Sequence, residues 1–305
     1  MNNETKGIIL ALLAAIFSGI AIPANKFFIV NLDPAVFTAV RSVIIGVVFL
    51  AVAAYPAVKS HKRFRKAPWS YLMAIAVIGG AAAFLLYFTG LQLTTAGRAA
   101  FLYHALLTMF TVLLAYAFLR ERIPRRMAYA LVAMLVGTIV LYFSQVPQSQ
   151  LWANPNLGDL LIIAATLLWA VEYIISRRVM MMGETNFVVS FARMFFGGLI
   201  LFGVVILSGN IGALLALSMQ QWINILISTV LLFADVLFWY WSIRYINVSK
   251  ATTLLLLAPI ISLVGGIALL GEPVPLAQLA GSAIMLVSAY FVIGVRSESR
   301  KKKTA

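Results

Sequence analysis

The chain has 305 residues, 63% of them hydrophobic and 10% charged, with 23 Lys and Arg against 9 Asp and Glu and a formal net charge of +14. A soluble domain carries roughly 45–50% apolar and about 25% charged residues, so this composition belongs to an integral membrane protein. The absence of Cys excludes a disulfide framework, a thiolate-held metal or iron–sulfur cluster and a thiol nucleophile; two His residues, His61 and His104, are too few for a His-rich metal site.

Apolar runs of about 20 residues, enough to cross a hydrocarbon core, follow one another with little between them. They are placed at Gly7 to Val30, Pro34 to Val58, Pro68 to Gly90, Gly97 to Leu119 and Pro124 to Phe143. Five more follow at Leu157 to Met181, Phe187 to Ser208, Trp222 to Ile243, Val248 to Leu270 and Pro275 to Val295. The first run is too long for a signal-peptide core and leads at once into a second, so it reads as a span.

Basic residues are retained on the cytoplasmic side, which sets orientation. With the N-terminus inside, that side receives Lys6, the cluster from Lys59 to Lys66, Arg120 to Arg126, Arg177, Arg178, Arg244, Lys250, and the tail from Arg296 to Lys303. The outer loops from Ser144 to Asn156, Gly209 to Gln221 and Gly271 to Val274 hold no Lys or Arg, leaving Arg98 as the one outer basic residue, while Lys26, Arg41 and Arg193 fall in or at the ends of spans. The expectation is a multi-pass protein of the cell (inner or plasma) membrane with both termini cytoplasmic. The net charge thus reads as topology and lipid contact, not as a nucleic-acid surface.

The two halves repeat. A shift of 151 residues puts Gly7 on Gly158 and Lys26 on Arg177; a shift of 152 puts Arg41 on Arg193. Leu119-Arg-Glu121-Arg-Ile-Pro124 then falls on Leu270-Gly-Glu272-Pro-Val-Pro275. Five spans per unit is an odd number, so the second unit enters the membrane from the opposite side. Inverted repeats let a carrier present one central site to each face in turn. The expected fold is all-α, with ten transmembrane helices in two inverted five-helix repeats: residues 1–146, residues 147–296, and a basic tail over 297–305.

Leu168-Trp169-Ala170 before Arg177-Arg178, Leu256-Leu257-Ala258-Pro259, and Leu270-Gly271-Glu272-Pro273 leading to Gly281 resemble the EamA-type branch of the drug/metabolite transporter superfamily. The resemblance spans essentially the whole chain. It implies a central cavity lined mainly by helices 1, 3, 4, 6, 8 and 9, and secondary transport, most often export of amino acids or other small metabolites. The chain departs from the family pattern at His104-Ala105-Leu106, where members commonly carry Pro, and at Ser18-Gly19, where many carry Trp-Gly. Both departures fall where a cavity would be lined, so they bear on the substrate and not on the family.

Ionisable groups inside a span are costly unless paired or hydrated, and by default point to function. In the sixth span Trp169, Glu172, Tyr173 and Ser176 share one helical face. The repeat maps them onto Ser18, Ala21, Ile22 and Asn25 in the first span. Glu172 reads as a proton-coupling carboxylate or a partner for a substrate amino group; otherwise it is a structural acid paired with a nearby Arg or Lys. The eighth span repeats the pattern with Asp235, Phe238, Trp239 and Ser242. Two carboxylates at one depth cannot easily both be charged, which would suit a proton or cation switch. The competing reading for Asp235 is a packing bond or salt bridge with Arg193 or Arg41.

His104 stands on a face with Phe101, Ala105, Thr108 and Thr111, either as a cavity group or as a packing residue. Arg41 and Arg193 read as structural clamps more readily than as carboxylate binders. Pro23 and Pro259 remove backbone hydrogen bonds within the membrane and are candidate hinges or simple kinks. Trp169, Tyr173, Phe17 and Trp239 lie deep enough to wall an aromatic substrate, whereas Tyr240 and Trp241 read as interfacial belt.

Three functions follow from these readings: an exporter of amino acids or related compounds, an importer of a vitamin-like or other small metabolite on the same fold, or a membrane enzyme or scaffold. The last lacks a cluster of catalytic side chains in any loop. There is also no glycine-rich nucleotide loop with Lys and Ser or Thr, so ATP does not drive transport directly; no cofactor is expected. The expected partners are a small-molecule substrate, protons as a coupling ion, and lipid.

Overall fold

The structure is a computed structural model that describes residues 2–60, 68–145, 156–261, 263–264 and 276–296. All regular structure among the described residues is helical. Nine helices there are long and apolar enough to cross a membrane. In chain order they are α1 (Asn3–Phe28), α2 (Pro34–Ser60), α3 (Trp69–Leu93), α4 (Ala96–Leu114, continuing through Leu119) and α5 (Arg125–Gln145). The second half supplies α6 (Leu157–Met181), α7 (Asn186–Leu207), α8 (Met219–Tyr245) and α10 (Leu276–Ile293). The expected ninth span is represented by the shorter apolar stretch Val248–Ile261, whose first part is α9 (Val248–Leu255). The Leu270 to Pro275 motif, the Gly265-Gly266 pair, His61 with its basic neighbours, and the tail from residue 297 lie outside the described residues.

Helix starts follow from local chemistry. Asn2 accepts from the Thr5 amide at 2.7 Å, and Asn156 with Asp159 and Ser218 with Gln221 form reciprocal capping boxes on α6 and α8. Each supplies partners for amides that the first helical turn leaves unsatisfied. Asp33 does the same for α2, accepting from the Ala35 and Val36 amides. Large side chains such as Leu207, Leu276, Leu215 and Tyr129 face outward, as a lipid-facing surface requires.

The helices pack as two related halves. α1 lies along α8 and α6 along α3; α1 also meets α9, and α6 meets α4. α2 pairs with α7, and α5 with α10. Every one of these contacts maps onto another, or onto itself, when the halves are exchanged, so the first helix of each repeat is held by the third and fourth helices of the other. Close approach depends on missing side chains: a Cβ on Gly90 or on Gly158 would lie 2.8 Å from the other's carbonyl oxygen, and Gly137 and Gly281 stand in the same relation.

Among the described residues three stretches are π-helical: Ala76–Ala82 in α3, Ala115–Leu119 at the end of α4, and Ala192–Phe196 in α7. Those of α3 and α7 meet at Gly80, where a Cβ would stand 2.0 Å from the Arg193 carbonyl oxygen. Such widened turns often mark functional positions, and here they bring Gly79 and Arg193 to the centre of the bundle.

Candidate functional site

α6 carries Trp169, Glu172, Tyr173 and Ser176 into the interior, and all four are buried. Glu172 is completely enclosed. The Tyr240 hydroxyl donates to its Oε1 at 2.6 Å, the Ser176 hydroxyl donates to the same oxygen, and Arg193 Nε stands 3.7 Å from Oε2 as an ion pair without a hydrogen bond. Arg193 Nη1 also donates to the Tyr240 hydroxyl at 3.1 Å. Gly79 leaves the space the carboxylate needs, since a Cβ there would lie 2.3 Å from Glu172 Cγ. A buried acid and a buried base thus compensate each other at the junction of α6, α7 and α8. Isolated, either charge would be prohibitively costly there.

Two sequence-based readings change at this point. Arg193 pairs with Glu172, so it is not the hydrogen-bonded partner of Asp235. Tyr240, read as belt, is fully buried and bridges the pair; α8 runs on to Tyr245, which puts Tyr240 deeper than the apolar run alone suggested.

Asp235 is of a different kind. It is half-buried and accepts no hydrogen bond among the described residues, though its charge interacts with that of Arg193. One turn further along α8, Trp239 is buried with its ring 4.3 Å from that of Tyr173, and its indole N–H has no partner among the described residues. Ser242, expected on the same face, instead donates to the Gly7 carbonyl at 2.8 Å and fixes α8 to α1.

Beside this lies an aromatic cluster. Tyr87, Tyr103 and Trp169 contact one another with centroids 5.2 to 5.6 Å apart, and the Trp169 indole donates to the Gly79 carbonyl at 3.0 Å. His104 is buried against Tyr103, and neither ring nitrogen has a partner among the described residues. In α1, Ser18 is buried next to Gly19, where a Cβ would lie 2.5 Å from the Ala258 carbonyl oxygen. The stretch Val248–Ile261 is interrupted at Leu256 and Leu257, just ahead of Ala258-Pro259, whereas α1 continues through Pro23. Asn25 accepts from Ser228 at 2.5 Å, and Ser228 accepts from Arg41 Nη1 at 2.6 Å.

Ion pairs tie the repeats together at both ends of the bundle. At one end Arg98, at the start of α4, donates to Asp159 at the start of α6. At the other, Lys250, at the start of α9, lies 2.7 Å from Glu4 at the start of α1 and also donates to the Val295 carbonyl at 2.6 Å. Arg98 and Lys250 are 152 residues apart in sequence and so occupy equivalent places. Helix ends are clamped with the same symmetry. Lys26 donates to the Leu91 and Thr94 carbonyls that end α3, and Arg177 donates to the Ile243 and Arg244 carbonyls that end α8. Glu121 completes this layer, its carboxylate accepting from the Val248 amide at 2.9 Å and the Ser249 amide at 3.0 Å. That is where a helix start favours negative charge.

The same duplication appears in comparison with known proteins. The model of the EamA-like transporter family matches the chain twice, over residues 5–143 and 156–294. The chain belongs to the EamA-like transporter family. This EamA-like chain is 25% identical to an uncharacterized transporter of Archaeoglobus fulgidus, over 95% of its own length and 99% of the relative's. It is 24% identical to the riboflavin transporter ImpX of Fusobacterium nucleatum, covering 94% and 97%. It is similar in fold to a solved crystal structure with a TM-score of 0.70 at 19% identity, covering 94% of this chain and 96% of that one.

Proposed function

We propose that this EamA-like protein is a secondary carrier of small metabolites, not an enzyme, that works by alternating access between its two repeats. The observation that carries the reading is the two ion pairs Arg98–Asp159 and Lys250–Glu4, placed at opposite ends of the bundle, whose basic members are equivalent under the repeat while their acids stand about one helical turn apart in its register. Each joins the fourth helix of one repeat to the first helix of the other. Opening either end requires one of these pairs to part while the other holds. With both closed, the chain is in an occluded arrangement.

The charge distribution supports a cell-membrane orientation with both termini cytoplasmic, which makes Arg98–Asp159 the outer latch and Lys250–Glu4 the inner one. The repeat boundaries proposed are 1–146 and 147–296. Family resemblance favours export of amino acids or related compounds. The kinship with a riboflavin transporter favours a second reading, a vitamin-like substrate, for which the rings of Tyr87, Tyr103, Trp169, Tyr173 and Trp239 offer flat walls. Asp235, half-buried and without a hydrogen-bond partner among the described residues, is the proposed coupling carboxylate, and protons the proposed coupling ion. Glu172 acts with it only if its contacts to Arg193 and Tyr240 are exchanged during the cycle. Ser18, Asn25, Ser176 and His104 are the remaining proposed lining groups, with Pro23 and Pro259 as hinges.

The test is a comparison of metabolites in medium and cells with and without overexpression. The export reading requires a compound to accumulate outside; accumulation inside overturns it. The compound found is then followed in proteoliposomes under an imposed pH gradient.

A further inference from the structure

Arg41 and Arg193 occupy equivalent positions in the two repeats, but their surroundings differ in one respect that bears on what the carrier binds. Arg193 has an internal carboxylate, Glu172, and a phenol, Tyr240. The repeat counterpart of Glu172 is Ala21, and that of Tyr240 is Phe88. Arg41 is fully buried all the same. Its Nη1 donates to Ser228, its Nε donates to the Phe37 carbonyl at 3.2 Å, and its Cζ lies 4.0 Å from the Phe37 ring centroid and 4.5 Å from that of Phe88. Its Nη2 has no partner among the described residues. Neither has the hydroxyl of Tyr87, which is within electrostatic reach of the guanidinium.

A guanidinium between two aromatic rings gains some cation–π stabilisation, but among the described residues no carboxylate pairs with it, and an uncompensated charge is costly in a low-dielectric interior. The second repeat shows what this place accommodates: a carboxylate, ion-paired with the arginine and accepting from Ser176 on its own helix and from Tyr240 on the third helix of the repeat. In the first repeat the arginine is kept and the internal acid is absent.

We propose that Arg41, with Tyr87 and the Asn25–Ser228 pair beside it, binds a carboxylate group of the substrate, taking in the first repeat the anion that Glu172 supplies in the second. This rests on the transporter reading and names the substrate class within it: a small organic acid, or a zwitterion presenting its carboxylate. The Nη2 amino group and the Tyr87 hydroxyl donate to the carboxylate oxygens, Ser228 and Asn25 hold the guanidinium in place, and Phe37 and Phe88 wall the site. Charge-assisted bonds of this kind are among the strongest available to a binding site.

The test reads binding and not flux. The purified full-length protein is titrated with benzoate and with 3-phenylpropanoate, each against its own amide, and the thermal midpoint and apparent affinity are recorded. At least one acid should raise the midpoint while its amide does not, and Arg41→Gln should weaken that acid by roughly tenfold or more. An equal shift by the amide, an acid response unchanged in Arg41→Gln, or no acid-selective response at all overturns the proposal. Ala21→Glu keeps the arginine and gives a second reading if Arg41→Gln does not fold. It should raise the ligand-free midpoint and abolish the acid response; a lowered midpoint with the acid response intact overturns the proposal. Loss of acid binding in these assays with metabolite flux preserved in cells would remove the subsite and leave the carrier standing.

Discussion

Arg193 Nε stands 3.7 Å from Glu172 Oε2, deep in the bundle, and Tyr240 bridges the two by donating to the acid and accepting from the base. Because neither side chain of the pair is more than 5% exposed, removing one charge strands the other. Glu172→Gln should therefore cost about 3–5 kcal/mol of stability, measured by thermal or denaturant unfolding of the purified protein. A change below about 1 kcal/mol would mean that the pair is hydrated or already separated.

Tyr240→Phe removes one donor and one acceptor from the same network while keeping the ring. The expected loss is about 1–3 kcal/mol, less than for Glu172→Gln, since both charges remain to face each other. In a double-mutant cycle the two substitutions should be strongly non-additive. Simple addition of their effects would separate Tyr240 from the pair.

Asp235 makes the opposite prediction. With no hydrogen bond among the described residues to lose, Asp235→Asn should change stability by less than about 1 kcal/mol, yet reduce transport driven by an imposed pH gradient in proteoliposomes. Undiminished gradient dependence in Asp235→Asn would end its assignment as the coupling group.

The latches can be locked. The native chain has no Cys, so a pair introduced at Arg98 and Asp159, or at Glu4 and Lys250, reports without background. Cross-linking either pair should arrest transport, and reduction should restore it. Transport at the full rate through a cross-linked latch would show that the ends do not part there.

Much of this architecture was legible in the sequence because lipid imposes simple demands. Apolar run length located the nine long apolar helices among the described residues, and the register of Lys26 with Arg177 and of Arg41 with Arg193 exposed the duplication. The side-chain network was less legible. Residues Glu172 and Ser176 share a helical face and could be paired by spacing, but Arg193 and Tyr240 come from other helices whose rotation periodicity does not fix. Tyr240 in particular was masked by its nearness to the helix end, where aromatic side chains usually serve the interface. The missing counter-ion of Arg41 was implicit in the repeat, in the Ala21 that aligns with Glu172, and gained meaning only once Arg41 was seen to be buried.

The central claim, that the ion pairs Arg98–Asp159 and Lys250–Glu4 hold opposite ends closed in turn, is tested most directly by thiol accessibility at the buried Ser18 position. Ser18→Cys is combined with Asp159→Asn or with Glu4→Gln in oriented membranes and exposed to a membrane-impermeant thiol reagent from each side. The account predicts that Asp159→Asn makes the thiol reactive from the outer face and Glu4→Gln from the cytoplasmic face. Reactivity from the same face in both, or no change in either, would contradict it.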